Sequence, residues 1–372
     1  MKIVTIVGAR PQFIKAAPVS RELQRHPEIT QVLVHTGQHY DEMMSAVFFG
    51  QLGVPPPDYD LGVGSGSHGA QTARMLEGIE RVLLQEHPDW VLVYGDTNST
   101  LAGALAAVKL HLPVAHVEAG LRSFNRRMPE EINRVATDHM ADLLLAPTNT
   151  AVKNLQSEGI AEARILLVGD VMFDAALIYG ARAERESRIL DQHGLTRNEY
   201  ILATVHRAEN ADDPDRLRTI VAALGEIATS TTVVWPLHPR TQATLAQIGR
   251  LQGVSALKLI DPVGYLDMLM LERHSRLIVT DSGGVQKEAF FFRTPCVTLR
   301  EETEWTELVE LGWNHLAPPT DGHLIGDTIR KALLSPPGKK ATPFGSGNAA
   351  AAIVNALAGN GPDRAGRTTG KR

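Results

Sequence analysis

The sequence predicts an α/β protein made of two doubly wound domains. Short apolar runs recur along the chain without alternating polar residues, as is typical of parallel strands that are covered on both faces. Each run ends near Gly, Asp, Pro or Thr, and a longer segment of helical period follows it. This order of strand and helix indicates parallel sheets with crossover helices, and it restarts after the Arg-, Glu- and Asp-rich segment 180–198.

The apolar runs give the predicted elements in chain order. In the first half, strands are predicted at residues 3–7, 32–35, 90–94, 114–117, 143–146 and 165–168, with helices that include 13–25, 99–110 and 131–141. In the second half, strands are predicted at 201–204, 232–235, 257–260, 277–280 and 296–299. We place the first domain at 1–170, the second at 171–345, a helix packed back on the first domain at 346–360, and a flexible tail at 361–372.

Composition and charge narrow the class of partner. The 372 residues contain 37 Lys and Arg against 42 Asp and Glu, which gives a net charge of −5. Proteins that bind nucleic acids or anionic membranes need a concentrated positive charge, so this net charge disfavours both classes. Aromatic residues make up 5% of the chain, which disfavours a nucleic-acid site built on base stacking. Cys296 is the single cysteine, so no intrachain disulfide can form, and no apolar run reaches the roughly 18 residues of a membrane span. We therefore expect a cytoplasmic protein that binds a small molecule or a second copy of itself.

Two such domains placed face to face leave a cleft lined by the carboxyl ends of their strands, where open α/β sheets bind ligands. The first strand ends in residues 8–15, which form neither a dinucleotide-binding motif nor a Walker A motif, so NAD and ATP are disfavoured as cofactors. Arg10 and Lys15 lie about one turn apart at the predicted helix N-terminus and suit an anionic group. Alternatively, these two residues are surface charges that cap the helix and bind no ligand.

Carboxylates follow two neighbouring predicted strands of the first domain. Asp96 and Glu118 each lie beside a glycine at a strand end, where an α/β sheet presents its chemistry, so both are candidate acid/base groups. Asp96 could instead cap the following helix, whereas an acid that ends a buried strand is costly without a partner. Glu130 and Glu131 follow Pro129, which fits an ordinary helix start. The arginines around them, at 126, 127 and 134, suggest a site that handles protons and phosphate oxygens.

Basic residues follow strands of the second domain. His206 and Arg207 come after one strand, and His238 and Arg240 come after the next, so each strand end carries a His-Arg cluster. A lone histidine is more often structural, but two such clusters at successive strand ends favour anion binding or proton transfer.

A Gly-rich turn follows the predicted strand at 277–280. Ser282, Gly283 and Gly284 stand there at the start of a helix, and exposed backbone N–H groups at such a start bind phosphate. An N-cap and turn without a ligand would have the same pattern. Glu288 lies on that helix, within reach of the sugar diol of a bound nucleotide.

Taken together, these segments resemble the non-hydrolysing UDP-N-acetylglucosamine 2-epimerases, a family with a two-domain, glycosyltransferase-B-like fold of Rossmann-like domains. The resembling segments are GARP at 8–11, GDT at 95–97, HVEAGLR at 116–122, PEEINR at 129–134, HRAEN at 206–210, TDSGG at 280–284 and TE at 303–304. They span nearly the whole chain, in the family's order. The family interconverts UDP-GlcNAc and UDP-ManNAc by eliminating UDP to a 2-acetamidoglucal and adding it back, for cell-surface polysaccharide precursors.

The resemblance implies roles for individual residues. The catalytic acids and bases would be Asp96, Glu118 and Glu130, and His206 would assist the departure of UDP. The UDP-sugar would be bound by Arg10, Lys15, Arg134, Arg207, Ser282, Gly283, Gly284 and Glu288. An allosteric UDP-GlcNAc site would include Gln38, Gln71 and His238. The resemblance also implies a homodimer, no cofactor and no metal.

The chain departs from the family pattern at several positions. Trp305 follows the TE segment where many members have Arg-Pro, so a basic contact to the nucleotide is missing, and Asp41 does not match the segment that binds the activating UDP-GlcNAc. Residues 122–128 and 287–292 look like the branch that epimerises UDP-2,3-diacetamido-2,3-dideoxyglucuronate. Extra basic residues before Met128 could balance that substrate's carboxylate, or belong to a solvated loop. The breadth of the family makes UDP-GlcNAc the expected substrate, and the uronate is the alternative substrate. A glycosyltransferase or a nucleotide-sugar sensor of the same fold is the alternative from another function class.

Overall fold

The computed structural model describes residues 1–38, 52–248 and 254–359, which form two compact units. The first unit comprises Met1–Ala175 and the described residues from Thr342 onward, and the second is Ala176–Ala341. The sequence places these divisions after residues 170 and 345. The predicted flexible tail at 361–372 lies outside the described residues.

A parallel sheet organises the first unit. Its strands are β1 (Lys2–Val7), β2 (Thr30–His35), β3 (Tyr59–Asp60), β4 (Trp90–Tyr94), β5 (Val114–Val117), β6 (Leu143–Ala146) and β7 (Ile165–Leu167). They are ordered β3-β2-β1-β4-β5-β6-β7, and the hydrogen-bonded neighbours are parallel. The direction of winding reverses between β1 and β4, the position at which open α/β sheets bind ligands.

A second parallel sheet organises the second unit. Its strands are β8 (Tyr200–Thr204), β9 (Thr232–Pro236), β10 (Lys258–Ile260), β11 (Leu277–Thr280), β12 (Cys296–Thr298) and β13 (Asn314–Leu316). Their order is β10-β9-β8-β11-β12-β13, again with parallel neighbours. The winding reverses here between β8 and β11. Apolar side chains on these strands pack against helices to form the core of the unit.

Helices cover the sheets. They are α1 (Arg10–Leu23), α2 (His68–Glu86), α3 (Asn98–Lys109), α4 (Pro129–Met140), α5 (Asn149–Ser157), α6 (Val171–Glu186), α7 (Ile189–Gln192), α8 (Ala208–Ala211), α9 (Pro214–Ala228), α10 (Pro239–Ile248), α11 (Tyr265–His274), α12 (Gly283–Phe291), α13 (Thr306–Glu310), α14 (Gly322–Leu334) and α15 (Ala349–Gly359). Short 3-10 helices lie at Glu162–Arg164 and Val254–Ala256. No helix among the described residues is long and apolar enough to cross a membrane.

The predicted α/β fold with parallel, doubly wound sheets is confirmed. Element ends differ by up to three residues; for example, the helix predicted at 13–25 is Arg10–Leu23, because Pro11 fits the first turn of a helix. Strands β3 and β13 are not predicted from the sequence. They are two and three residues long, and a polar residue stands in each, so neither forms a recognisable apolar run.

The last described helix, α15, belongs to the first unit and packs against α1. The carboxylate of Asp174, in α6, accepts hydrogen bonds from the backbone N–H groups of Ala349 (3.1 Å) and Ala350 (2.8 Å). These N–H groups open a helix and have no partner within it. The side chain of Asp174 in α6 therefore caps the N-terminus of α15.

Candidate active site

Glu118 lies one residue beyond the carboxyl end of β5. It is buried, and its backbone is left-handed, with a φ of 70°, which is uncommon for a residue other than glycine. Its Oε2 accepts a hydrogen bond from Nζ of Lys15, a buried residue of α1. The acid that ends this buried strand therefore has a cationic partner, as its burial requires.

Gly95 makes room for the Lys15–Glu118 pair. A Cβ at Gly95 would lie 2.9 Å from Lys15 Nζ and 3.2 Å from Glu118 Oε2, and the φ of Gly95 is 64°. Both the close approach and the positive φ favour glycine. The N–H of Gly95 donates to the carbonyl of Val117 (3.0 Å), so the ends of β4 and β5 are tied together beneath the pair.

Asp96 follows Gly95 and is half-buried. Its Oδ2 accepts hydrogen bonds from Nε (3.1 Å) and Nη2 of Arg134, and its carbonyl accepts from Asn133 Nδ2 (3.0 Å). The N-cap of α3 is Thr97, whose hydroxyl accepts from the N–H of Thr100. Asp96 is therefore not the helix cap, and its side chain faces an arginine of α4 instead.

The two adjacent acids at the start of α4 have different surroundings. Glu131 is buried and accepts from the N–H (3.0 Å) and hydroxyl (3.0 Å) of Ser123, the N–H of Phe124 (2.9 Å) and Arg134 Nη1 (2.9 Å). It therefore holds the preceding loop. Glu130 is half-buried, and within the described part of the chain its side chain forms no hydrogen bond or ion pair. Glu130 is accordingly the one of these two acids that is available for chemistry.

The backbone N–H groups just before α1 are already hydrogen-bonded to a side chain of that helix. Gln12 Oε1 accepts from the N–H groups of Gly8 (2.8 Å) and Ala9 (3.1 Å), and its Nε2 donates to the carbonyl of Tyr94 (2.9 Å). Arg10, the first residue of α1, is half-buried. An anion at this strand end would therefore meet the side chain of Arg10 rather than these two N–H groups.

Gln38 and Gln71 meet in the first unit. The Gln38 side chain accepts from the N–H (3.0 Å) and hydroxyl (2.7 Å) of Ser99, and Gln71 Nε2 donates to the carbonyls of Gln38 (3.2 Å) and Gly64 (2.8 Å). The third residue of the predicted allosteric set, His238, is exposed in the second unit. Asp41 lies outside the described residues, and the allosteric site stays a prediction.

In the second unit, Asp281 organises the turn that carries the predicted basic residues. It is fully buried, and its carboxylate accepts from the N–H groups of His206 (3.1 Å) and Arg207 (3.1 Å) and from Asn210 Nδ2 (3.1 Å). The His206 ring is partly exposed, with Nδ1 3.8 Å from Asp281 Oδ1, and it lies 5.6 Å from the ring of His238. The structure thus brings the two predicted histidines together.

The Gly-rich turn begins α12. Ser282, Gly283 and Gly284 are half-buried, and Ser282 is the N-cap, whose hydroxyl accepts a backbone N–H of the helix. Glu288 is buried one turn further on and accepts from the Tyr265 hydroxyl (2.9 Å). Burial and the negative charge of Glu288 raise the pKa of Tyr265 well above its usual range, so the phenol remains a donor.

Trp305 follows the TE segment, and the charged residues around it, Lys287, Arg300 and Glu304, are buried. The indole Nε1 would lie 3.6 Å from a Cβ on Gly283, and Lys287 Nζ lies 4.2 Å from the centre of a Trp305 ring. Arg300 Nη1 donates to Glu304 Oε2 (2.7 Å), and both residues are buried. Positive charge is therefore present beside the Gly-rich turn, but it is enclosed rather than presented on the surface.

Two fully buried polar residues, His116 and Asp138, are not among the functional residues predicted from the sequence. His116 lies within β5, and Asp138 lies on α4. A polar residue inside an otherwise apolar strand was the available signal. Among the described residues, no group of three or more His, Cys, Asp or Glu side chains could hold a metal ion.

Fold and site define the class of protein: a two-unit α/β protein of glycosyltransferase-B-like fold. The chain belongs to the UDP-N-acetylglucosamine 2-epimerase family, whose pattern it matches over residues 21–358. The family resemblance inferred from the motifs is thereby confirmed. The named members are UDP-sugar 2-epimerases, so the chain is an isomerase of this type.

Individual relatives cover nearly the whole chain. A UDP-2,3-diacetamido-2,3-dideoxy-D-glucuronate 2-epimerase of Pseudomonas aeruginosa is 52% identical over 96% of this chain and 99% of its own. The UDP-GlcNAc 2-epimerase of Methanocaldococcus jannaschii, solved in complex with UDP-GlcNAc and UDP, is 45% identical with a TM-score of 0.91 over 96% of this chain and 99% of its own. The Neisseria meningitidis enzyme bound to UDP-GlcNAc is 31% identical, with a TM-score of 0.86 over 97% and 100%.

Replacement of Lys15 by methionine tests the buried ion pair. Lys15→Met leaves Glu118 buried without its cation, and the free energy of unfolding should fall by about 3 kcal/mol. Lys15→Met with Glu118→Gln should regain part of that loss, because no charge is then left unpaired. Urea denaturation of the wild type, both single variants and the double variant measures the coupling.

Arg25→Met is the matched control, because it removes an exposed ion pair with Glu22 just beyond the end of α1. It should cost less than about 1 kcal/mol. Strictly additive losses in the Lys15 and Glu118 variants would show that the pair is not energetically coupled.

Proposed function

We propose that the protein interconverts UDP-GlcNAc and UDP-ManNAc by eliminating UDP to a 2-acetamidoglucal and adding it back. The observation that carries this proposal is the buried carboxylate of Glu118, paired with Lys15 at the end of β5, next to the strand end that carries Asp96. A lysine partner favours the ionised, basic form of a carboxylate. The substrate is suggested by relatives that are named UDP-N-acetylglucosamine 2-epimerase, 46% identical to this chain.

The proposed reaction removes a proton and UDP from the sugar and then adds a proton and UDP back. C2–H of the resting sugar is not acidic, so departure of UDP must first build positive charge at C1. The C1–O bond to UDP breaks, a carboxylate takes the C2 proton, and the electron pair of the C2–H bond forms the C1=C2 double bond. Return of a proton to the opposite face of C2, with re-addition of UDP at C1, inverts the configuration.

The three proposed acid/base carboxylates differ in their surroundings. Glu118 is paired with Lys15, Asp96 is bound by Arg134, and Glu130 has no partner among the described residues. An inversion needs more than one acid/base group, because one group must accept a proton from one face of C2 while another donates a proton to the opposite face.

The second unit supplies the proposed groups for UDP. The 282–284 turn at the N-terminus of α12 suits phosphate oxygens, and Glu288, held by the Tyr265 hydroxyl, suits the ribose hydroxyls. His206 and Arg207 are proposed to stabilise the departing pyrophosphate. Further proposed contacts to the UDP-sugar come from Arg10, Lys15 and Arg134.

A second candidate substrate is UDP-2,3-diacetamido-2,3-dideoxyglucuronate. The relative named for that substrate is 52% identical to this chain. In this structure Arg126 and Arg127 are exposed on the loop that Glu131 holds, just before α4. A pair of arginines near the proposed acid/base groups could balance a substrate carboxylate.

Conversion of UDP-GlcNAc is the first test. Proton NMR should show the signals of UDP-ManNAc appearing when the purified protein is incubated with UDP-GlcNAc. Glu118→Gln keeps the size of the side chain but removes the base, so turnover should fall by at least about 100-fold, while UDP should still bind because the second unit is unchanged. Glu22→Gln, at the far end of α1, is the control and should leave turnover unaltered.

Failure of the protein to form a C2 epimer from either sugar nucleotide would refute the proposed activity. Transfer of the sugar to an added acceptor would identify a glycosyltransferase instead. Binding of the sugar nucleotide without any turnover would identify a sensor.

The same assay with the uronate distinguishes the two substrates. If the uronate is the natural substrate, it should turn over faster than UDP-GlcNAc, and Arg126→Ala with Arg127→Ala should slow it by roughly 10-fold or more, because charge-assisted hydrogen bonds are lost. The same double variant should leave UDP-GlcNAc turnover nearly unchanged. Faster turnover of UDP-GlcNAc, with no effect of the arginine changes on the uronate, would exclude the second candidate.

We further propose that the protein is a cytoplasmic homodimer. Cys296 is a buried, free thiol, which suits a reducing compartment. Leu84 on α2 and Leu166 and Leu167 on the edge strand β7 are exposed apolar side chains that a partner subunit could cover. Sedimentation equilibrium should give about twice the chain mass of 40.4 kDa; the mass of a single chain would refute the dimer.

A further inference from the structure

His116 is a fully buried histidine of β5 to which the proposed reaction gives no role. Its two ring nitrogens have separate partners. Nδ1 lies 2.7 Å from Asp138 Oδ1, and Nε2 lies 2.7 Å from the carbonyl oxygen of Gly95. Distances this short are typical of strong, charge-assisted hydrogen bonds.

Both partners of His116 are acceptors. A peptide carbonyl has no proton to give, so Nε2 carries one. Asp138 also accepts from Arg122 Nη1 (2.7 Å) and from the N–H of Gly120 (3.1 Å). Burial opposes ionisation of Asp138, but the hydrogen bonds from His116 and Arg122 and the charge of Arg122 outweigh it and hold the pKa of Asp138 below its usual range. An ionised carboxylate only accepts, so Nδ1 carries the second proton.

Charges alternate from His116 to the edge of the unit. Asp138 lies between His116 and Arg122, and Arg122 donates to both oxygens of Glu158 through Nε (2.6 Å) and Nη2 (2.7 Å). Glu158 is partly exposed. Neighbours of opposite charge along this series offset part of the cost of removing Asp138 and Arg122 from water.

We propose that the His116 ring and the Asp138 carboxylate form a clamp that positions the two catalytic strand ends. His116 holds the carbonyl of Gly95, the residue before Asp96, and Asp138 holds the N–H of Gly120, two residues after Glu118. The catalytic consequence of this clamp rests on the proposed function. His116 and Asp138 are positioning residues, since neither is assigned a contact with the substrate.

The clamp acts where a small displacement matters. The Gly95 carbonyl and the Asp96 N–H belong to one peptide plane, so the hydrogen bond from His116 sets where Asp96 begins. Gly95 also lies against Lys15 and Glu118, within the distance at which a Cβ would clash. Movement of a catalytic group by about 1 Å can cost about 100-fold in rate, so release of Gly95 should lower turnover without changing the chemistry of either carboxylate.

Two amide substitutions separate the two halves of the clamp. His116→Gln places an amide nitrogen where Nε2 lies and can still donate to Gly95, whereas His116→Asn places one where Nδ1 lies and can still donate to Asp138. Both lose the imidazolium and should lose similar thermal stability. We expect kcat to fall by about 100-fold in His116→Asn and by less than about 10-fold in His116→Gln, with KM and UDP affinity within about 3-fold of wild type in both.

Equal losses of kcat in the two variants, or losses confined to KM, would overturn the positioning role. Two NMR measurements decide the inference without any turnover. The wild-type protein should show proton signals from both ring N–H groups of His116, because both are buried and exchange slowly with water. The backbone amide signal of Asp96 should shift in His116→Asn and stay near its wild-type position in His116→Gln.

A single ring N–H signal from His116, or equal shifts of the Asp96 amide in both variants, would overturn the clamp. If these NMR results appear as expected but the wild type epimerises neither sugar nucleotide, the proposed function fails and the clamp stands. If the wild type is active and the NMR signals are absent, the clamp fails and the proposed function stands.

Discussion

The ion pair between Lys15 and Glu118 is the interaction on which the rest of the site depends. It places a carboxylate at the end of a buried strand, where burial without a cation would be prohibitive. Its position sets the requirements of its neighbours. Gly95 must lack a side chain beneath it, and α1 must begin close enough to the end of β1 for Lys15 to reach across to β5.

The acids near the strand ends of the first unit have different surroundings, although Arg134 contacts both Asp96 and Glu131. Glu131 holds a loop by accepting from Ser123 and Phe124, so it is structural. Asp96 is bound by Arg134, and Glu130 is left without a partner among the described residues. In the second unit, buried Asp281 accepts hydrogen bonds from the backbone N–H groups of His206 and Arg207, as Glu131 does from its loop in the first unit.

Much of the fold follows from the sequence because buried parallel strands read as apolar runs. β4 and β5, buried along their whole length, were predictable for that reason, whereas β3 and β13 are too short and too polar to be recognised. Candidate residues at strand ends were predictable from the rule that α/β sheets bind at their carboxyl edge.

Side-chain partners were not predictable, because they depend on distant segments. Spacing could not tell that Lys15 would meet Glu118, that Thr97 rather than Asp96 would cap α3, or that Glu131 rather than Glu130 would be buried. The hydrogen-bond partners of His116 are Asp138 and Gly95, which are 22 and 21 residues away in the chain. Trp305 was visible in the sequence, but the burial of Lys287 and Arg300 beside it was not.

Exchange at C2 of the sugar tests most directly whether the strand-end carboxylates move the proton. UDP-GlcNAc incubated with the enzyme in heavy water should give UDP-ManNAc that carries deuterium at C2, because a carboxyl proton equilibrates with solvent before it is returned. Recovered UDP-GlcNAc should acquire deuterium at C2 as well. Product that retains the original C2 proton would contradict the proposed chemistry, and exchange at neither epimer, for either sugar nucleotide, would exclude it.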